Sequence, residues 1–360
     1  MTDHDTARDA LAGRLLEASI AGLDLLHVYL GDRLGLYQAL ATAGPLTIDE
    51  LAAHCRINPR YAREWAEHQA VAGILDLDNT DRPDARRFGL PPAHAEVLTD
   101  ADSLAYLAPL GQGVAAVARA LPQVLDAFRT GAGVEFSAYG DDIRTFIARL
   151  NRPMFLNQLA QDWFPQVAGL VGRLTAAPPA RVADLGCGSG WSSVAIARAY
   201  PLATVTGVDL DEASIGEATK NAAAAGVGDR VSFQVADAAD PALGGTFDLV
   251  CAFETIHDMN DPTAALASMR ALRAPGGTIL VADDRVADEF TTDVDPGERF
   301  QWGWSALHCL PTAMTAHPRA GTGTIMRTPT FRQYAQAAGF ADVEVLPIDH
   351  DFWRFYRLVG

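Results

Sequence analysis

The chain has 360 residues, 49% hydrophobic and 20% charged, an ordinary globular composition that excludes disordered, collagen-like and disulfide-scaffold readings. Its 45 acidic against 28 basic residues leave a net charge of −17, which repels polyanions, so neither nucleic acid nor an anionic membrane is expected as principal partner. Four scattered cysteines (Cys55, Cys187, Cys251, Cys309), the acidic start MTDHDTARDA and the lack of any run of roughly 20 apolar residues give the expectation of a cytoplasmic protein with neither signal peptide nor membrane span.

Up to about residue 155 the pattern is helical, with Leu11, Leu15, Ile20, Leu23, Leu26 and Leu30 at three- to four-residue spacing. Thr47 stands three residues before Glu50, the spacing of a capping box. Asn58-Pro59 predicts a second helix start, with Asn as cap and Pro in the first turn. Two apolar runs, Gly73–Leu77 and Arg86–Leu90, read as a β-hairpin, and together these signals predict a winged helix at about 36–100. The expected division is an N-terminal winged-helix domain over 1–100, a helical connector and active-site cap over 101–178, and an α/β domain over 179–360.

From Arg181 onward, short apolar runs alternate with helical stretches, the rhythm of a mostly parallel sheet covered by helices. Strands are predicted at Arg181–Leu185, Thr204–Asp209, Val231–Val235, Phe247–Phe253 and Thr278–Ala282, with helices near 190–200, 211–225 and 262–273. Residues 284–326 lack clear periodicity and read as an insertion over the carboxyl edge of the sheet. A helix near 328–338 and an antiparallel hairpin, Val343–Ile348 with Phe352–Leu358, complete a sheet of seven strands.

The densest motif is Val182-Ala-Asp-Leu-Gly-Cys-Gly-Ser-Gly-Trp191, a strand that ends in Asp184 and turns through Gly186, Gly188 and Gly190 into a helix. The glycines permit a tight turn and close approach of a ligand, and the acid ahead of them suits an ammonium better than a pyrophosphate. Asp209 ends the second predicted strand and is placed to accept hydrogen bonds from ribose hydroxyls, while Asp237 follows the third.

With the later Leu272-Arg-Ala-Pro-Gly-Gly-Thr-Ile-Leu-Val281 segment, this constellation resembles the class I S-adenosylmethionine-dependent methyltransferases over roughly residues 150–360. The resemblance implies a Rossmann-like fold and S-adenosylmethionine as methyl donor. It implies that Gly186 and Gly188 line the methionine part, that Asp209 holds the ribose and that Asp237 with Ala238 frames the adenine. Asp184, Cys187, Leu210 and Phe253 complete the expected cofactor set, Cys187 as a small filler of the turn.

Methyl transfer also needs an acceptor held in line and relieved of its proton where it has one. Beyond the fourth strand, Phe253-Glu-Thr-Ile-His257-Asp258-Met259 offers an imidazole beside a carboxylate, and His257 is the candidate general base, assisted by Asp258. Asp283-Asp284 ends the fifth strand and His308 lies in the insertion as a second acceptor-side group. His257, Asp258 and His308 are also the ligand types of a two-histidine, one-carboxylate centre for a divalent or iron-type metal. In this the chain resembles a group of α-keto-acid C-methyltransferases that use a metal to stabilise an enolate, whereas a metal-free His257 would serve O-methylation. Phe300, Trp302, Trp304, Trp163, Phe164, Met154 and Phe155 are candidates for pocket walls as well as for core.

The competing reading is a DNA-binding regulator with a vestigial cofactor domain. Residues 1–100 hold nine arginines and no lysine against sixteen acids, and in the second helix Arg60 and Arg63 are offset by Glu64 and Glu67, so no basic face is expected. In small-molecule methyltransferases with such a domain it makes the dimer, which gives the expectation of a homodimer, a small-molecule acceptor and no nucleic acid.

Overall fold

In the computed structural model, which describes residues 2–78, 82–240, 242–317 and 319–360, the polar residues expected to start helices do so. The Glu50 N–H donates to Thr47 Oγ1 at 3.3 Å and the Thr47 N–H to Glu50 Oε2 at 2.8 Å, opening helix Ile48–Cys55. Asn58 Oδ1 accepts from the Arg60 N–H at 2.8 Å and opens helix Pro59–Val71. The wing pairs β1 (Asp76–Asp78) antiparallel with β2 (Arg87–Gly89), and residues 79–81 lie outside the described residues. It is shorter than expected because Ile74 and Leu75 spend their N–H groups on the Gln69 carbonyl, closing the preceding helix.

The chain divides into two compact units, Met1–Ala118 with Thr145–Pro153, and Arg119–Arg144 with Met154–Gly360, so the segment 101–178 is shared between them. The core of the first unit gathers Leu36, Tyr37, Leu40, Leu51, Trp65 and Phe88. Its long helix Asp3–Arg33 buries little, and Leu11, Leu15, Leu16, Ile20, Leu23, Leu26 and Leu30 are exposed on it.

In the second unit, β3 (Arg181–Leu185), β4 (Thr204–Asp209), β5 (Val231–Val235) and β6 (Phe247–Phe253) match the predicted runs. They are followed by β7 (Arg273–Asp284), β8 (Asp342–Val345) and β9 (Trp353–Val359). The order is β5-β4-β3-β6-β7-β9-β8, parallel from β5 to β7 and antiparallel at β9 and β8. Strand residues alternate between two apolar layers. Val182, Leu249, Cys251, Leu280 and Phe355 join one with Trp163, and Ala183, Leu185, Val250, Val281 and Tyr356 join the other.

The insertion is more ordered than its lack of periodicity implies. Asp295 Oδ1 accepts from the Glu298 N–H at 2.8 Å, capping helix Pro296–Trp304, which passes into a π-helical turn, Ser305–Cys309. Such turns offset the helical register that periodicity detects. No helix among the described residues is long and apolar enough to cross a membrane.

Candidate active site

The parallel sheet gathers the ends of β3, β4, β5, β6 and β7 at one carboxyl edge, where open α/β sheets bind ligands. After β3, the Gly186 and Cys187 N–H groups donate to the Val208 carbonyl at 2.8 and 3.0 Å, bending the chain over β4. Gly186 sits at φ 71, and a Cβ there would collide with the side chain of Thr255. At Gly188, by contrast, a Cβ would meet nothing within 4 Å, so the middle of the turn faces open space.

Asp209 Oδ2 accepts from the Gly188 N–H at 2.8 Å and Oδ1 from the Asp211 N–H at 2.9 Å. Burial raises the pKa of Asp209 against these N–H groups, which favour its charge. Leu210 beside it is exposed, Asp237 is exposed with Oδ1 accepting from the Ala239 N–H at 2.8 Å, and Ala238 is half-buried. Cys187 is buried and its thiol pKa is pushed up by that burial, as a filler's would be. Phe253 packs on Phe155 with ring centroids 5.6 Å apart.

Asp184 departs from its expected place facing an ammonium. Its carboxylate is buried, and Oδ2 accepts the hydroxyls of Ser192 and Ser193, both at 2.6 Å, so it ties β3 to the first turn of helix Trp191–Ala199. Trp163 and Phe164 are likewise core residues, whereas Phe300 and Trp302 are exposed.

β6 ends at Phe253, level with Ala282 of β7, and Glu254 turns the chain at φ 53 while its N–H donates to the Ala282 carbonyl at 2.8 Å. That corner carries His257 beneath the end of β7. His257 is 2% exposed; its Nδ1–H donates to Asp283 Oδ1 at 2.5 Å, and its own backbone N–H donates to Asp283 Oδ2 at 3.3 Å. On the other side of the ring, Nε2 lies 3.2 Å from Asp258 Oδ1, a buried oxygen that pairs with the charged imidazole.

Burial opposes charge on His257, but the carboxylates of Asp258 and Asp283 outweigh it and hold the imidazole pKa well above 6.5. Burial also works against the Asp258 carboxylate, and the His257 charge keeps it below the usual range all the same. Asp284 is pushed well above that range by burial, with the charges of Glu254, Asp283 and Asp258 adding to the effect. Its Oδ1 accepts from Gln301 Nε2 at 2.6 Å, and Oδ2 lies 3.5 Å from His257 Nδ1.

His308 comes near this group without joining it as expected. Its ring packs against Tyr139, Phe136 and Trp304, at centroid distances of 4.6, 5.8 and 6.3 Å, and its Nδ1 lies 3.3 Å from Cys309 Sγ. Burial lowers its pKa to about 4, and Nε2 has no hydrogen-bond partner. Among the described residues, two groups bring three ligand atoms within 4.8 Å of one another: His257 with Asp258 and Cys309, and His257 with Asp283 and Asp284. His308 is in neither, so the trio of His257, Asp258 and His308 is not gathered, and Cys309 stands where the second histidine was expected. Sequence reasoning passed over Cys309 and left Asp283 unassigned; the level ends of β6 and β7 are the signal that pairs Asp283 with His257.

Residues 178–314 match the family model described as a methyltransferase domain, and residues 21–100 that of the Rv2258c-like winged HTH domain. The ubiquinone biosynthesis O-methyltransferase of Aromatoleum aromaticum is 35% identical over 127 residues, 35% of this chain and 50% of that protein. The 27-O-demethylrifamycin SV methyltransferase of Amycolatopsis mediterranei is 34% identical over 115 residues, 32% of this chain and 42% of that protein. The chain thus spans about half the length of these curated relatives. Among solved structures, mitomycin 7-O-methyltransferase superposes with a TM-score of 0.71 at 18% identity over 99% of both chains. Human N-acetylserotonin methyltransferase in complex with S-adenosylmethionine superposes at 0.73 and 18% identity, over 97% of this chain and 98% of that one. The fold is therefore shared over its whole length, and the chain joins a winged helix-turn-helix domain to a Rossmann-like, class I methyltransferase domain.

Proposed function

We propose that this chain is a methyltransferase that uses S-adenosylmethionine to methylate a hydroxyl of a small molecule, with His257 on the acceptor side. The observation that carries the reading is the packing of Thr255 on Gly186, which sets the segment bearing His257 directly on the glycine turn. The open space at Gly188 and the Asp209 carboxylate beside it fit a nucleoside with a ribose diol and an amino-acid tail. The donor supplies an electrophilic methyl group on a sulfonium. As the acceptor oxygen bonds the methyl carbon and the sulfur–carbon bond breaks, His257 Nε2 takes the acceptor proton and Asp283 stabilises the resulting imidazolium.

His257→Ala should lower turnover by about 10²- to 10⁴-fold with binding of S-adenosylhomocysteine nearly unchanged. Asp209→Ala should weaken that binding first. Calorimetry beside steady-state rates separates the two, and a His257→Ala enzyme that loses the cofactor and keeps its chemistry would refute the assignment. The names of the relatives above support a hydroxyl acceptor.

We also infer a homodimer through the N-terminal helices, supported by the apolar side chains exposed along Asp3–Arg33. Against DNA reading by the winged helix stand the ion pairs Arg60–Glu64 and Arg63–Glu67, which pair the helix's arginines with acids.

A further inference from the structure

We propose that His257, Asp258 and Cys309 form a binding site for a thiophilic divalent cation of the zinc class. One ligand atom of each lies within 4.8 Å of the other two, and the nitrogen, oxygen and sulfur set is the kind that such a cation takes. Nδ1 of His257 is held by Asp283 at 2.5 Å, so Nε2 is the coordinating nitrogen. A carboxylate behind a ligating histidine is how metal sites orient the ring.

Spacing decides between the two candidate groups. Nitrogen and oxygen ligands about 2.0 Å from a tetrahedral zinc stand about 3.3 Å apart. His257 Nε2 and Asp258 Oδ1 are 3.2 Å apart, whereas Nδ1 and Asp283 Oδ1, at 2.5 Å, are bridged by a proton and too close to share a cation. Asp258 Oδ1 is buried against His257 Nε2, and a cation would take both atoms as ligands in place of the proton they share. Cys309 is a free, buried cysteine, and the π-helical turn that carries it sets His308 Nδ1 3.3 Å from Sγ.

Three protein ligands leave a fourth tetrahedral position for an acceptor oxygen. A cation on Nε2 takes the lone pair that the base needs, so cation binding and proton abstraction are alternative uses of one atom. The inference goes beyond the methyl-transfer reading, and while the cation is bound Nε2 is not the proton acceptor which that reading assigns.

The test is titration of the untagged, chelator-stripped, full-length protein with cobalt(II), read by absorption. The expected result is one cobalt per chain with a near-ultraviolet thiolate-to-cobalt band that Cys309→Ser abolishes and His308→Gln retains. Asp283→Asn should weaken cobalt binding about 10- to 100-fold. Thermal melts of each variant check the fold, and Asp258→Asn, expected to weaken cobalt binding, serves if Cys309→Ser melts early. Wild-type protein that takes up no cobalt, binds it without the thiolate band, or keeps the band in Cys309→Ser overturns the proposal. S-adenosylhomocysteine calorimetry on the same samples reports separately on the methyltransferase reading.

Discussion

His257 carries two opposed demands. Its imidazolium is stabilised by Asp258 and Asp283, yet a base must first be free of its proton. The rate should therefore rise with pH through the folded pKa, which lies well above 6.5. Because that pKa is raised on folding, the stability the pair contributes is complete below the unfolded value near 6.5 and is lost as pH rises through the folded one. The active form is thus the less stabilised one. Asp283→Asn removes one of the two charges, so the ascending limb of kcat/KM should move to lower pH while its plateau falls about 10- to 100-fold. A pH–rate profile checks both, and an unmoved limb would show that Asp283 does not set the proton affinity of His257. His257 itself was legible in the sequence as a titratable residue after a predicted strand. Its partnership with Asp283 was not, because the pair is 26 residues apart and meets only through the β6–β7 register.

Among elements, the strands were the most legible, since the central ones are buried on both faces, as β3 is over Val182–Leu185 and β6 over Leu249–Phe253, and read as mostly apolar runs. Asp184 was misread for a related reason. A carboxylate at the end of such a run looks aimed at a ligand, and nothing local says that two serines eight and nine residues later, in the first turn of the next helix, will claim it. Those hydroxyls make the joint between β3 and helix Trp191–Ala199 a polar one inside an apolar layer. Replacing both Ser192 and Ser193 by Ala leaves Asp184 Oδ2 buried without these donors, which should cost about 1–3 kcal/mol for each bond lost. Chemical denaturation of the double variant measures this, and an unchanged midpoint would mean that water or a protonated Asp184 fills the gap. The π-helical turn at Ser305–Cys309 was the least legible element, because one added residue per turn breaks the spacing by which amphipathic helices are found.

For the whole molecule, the acidic balance has a local counterpart in Asp258, Asp283 and Asp284 around a single imidazole. The first unit is governed instead by its uncovered surface. Leu15 and Leu16, 63% and 65% exposed, are central to the apolar side chains of helix Asp3–Arg33. On the proposed dimer, the double variant Leu15→Glu and Leu16→Glu should leave a monomer in light scattering where the unmodified protein gives a dimer, and a dimer that persists would refute this interface. A helix of 31 residues is about 46 Å long and, alone in water, draws little stability from one face that touches nothing. If a second chain supplies the cover, unfolding becomes a bimolecular equilibrium. The melting temperature then climbs with protein concentration, and dilution alone acts as a denaturant.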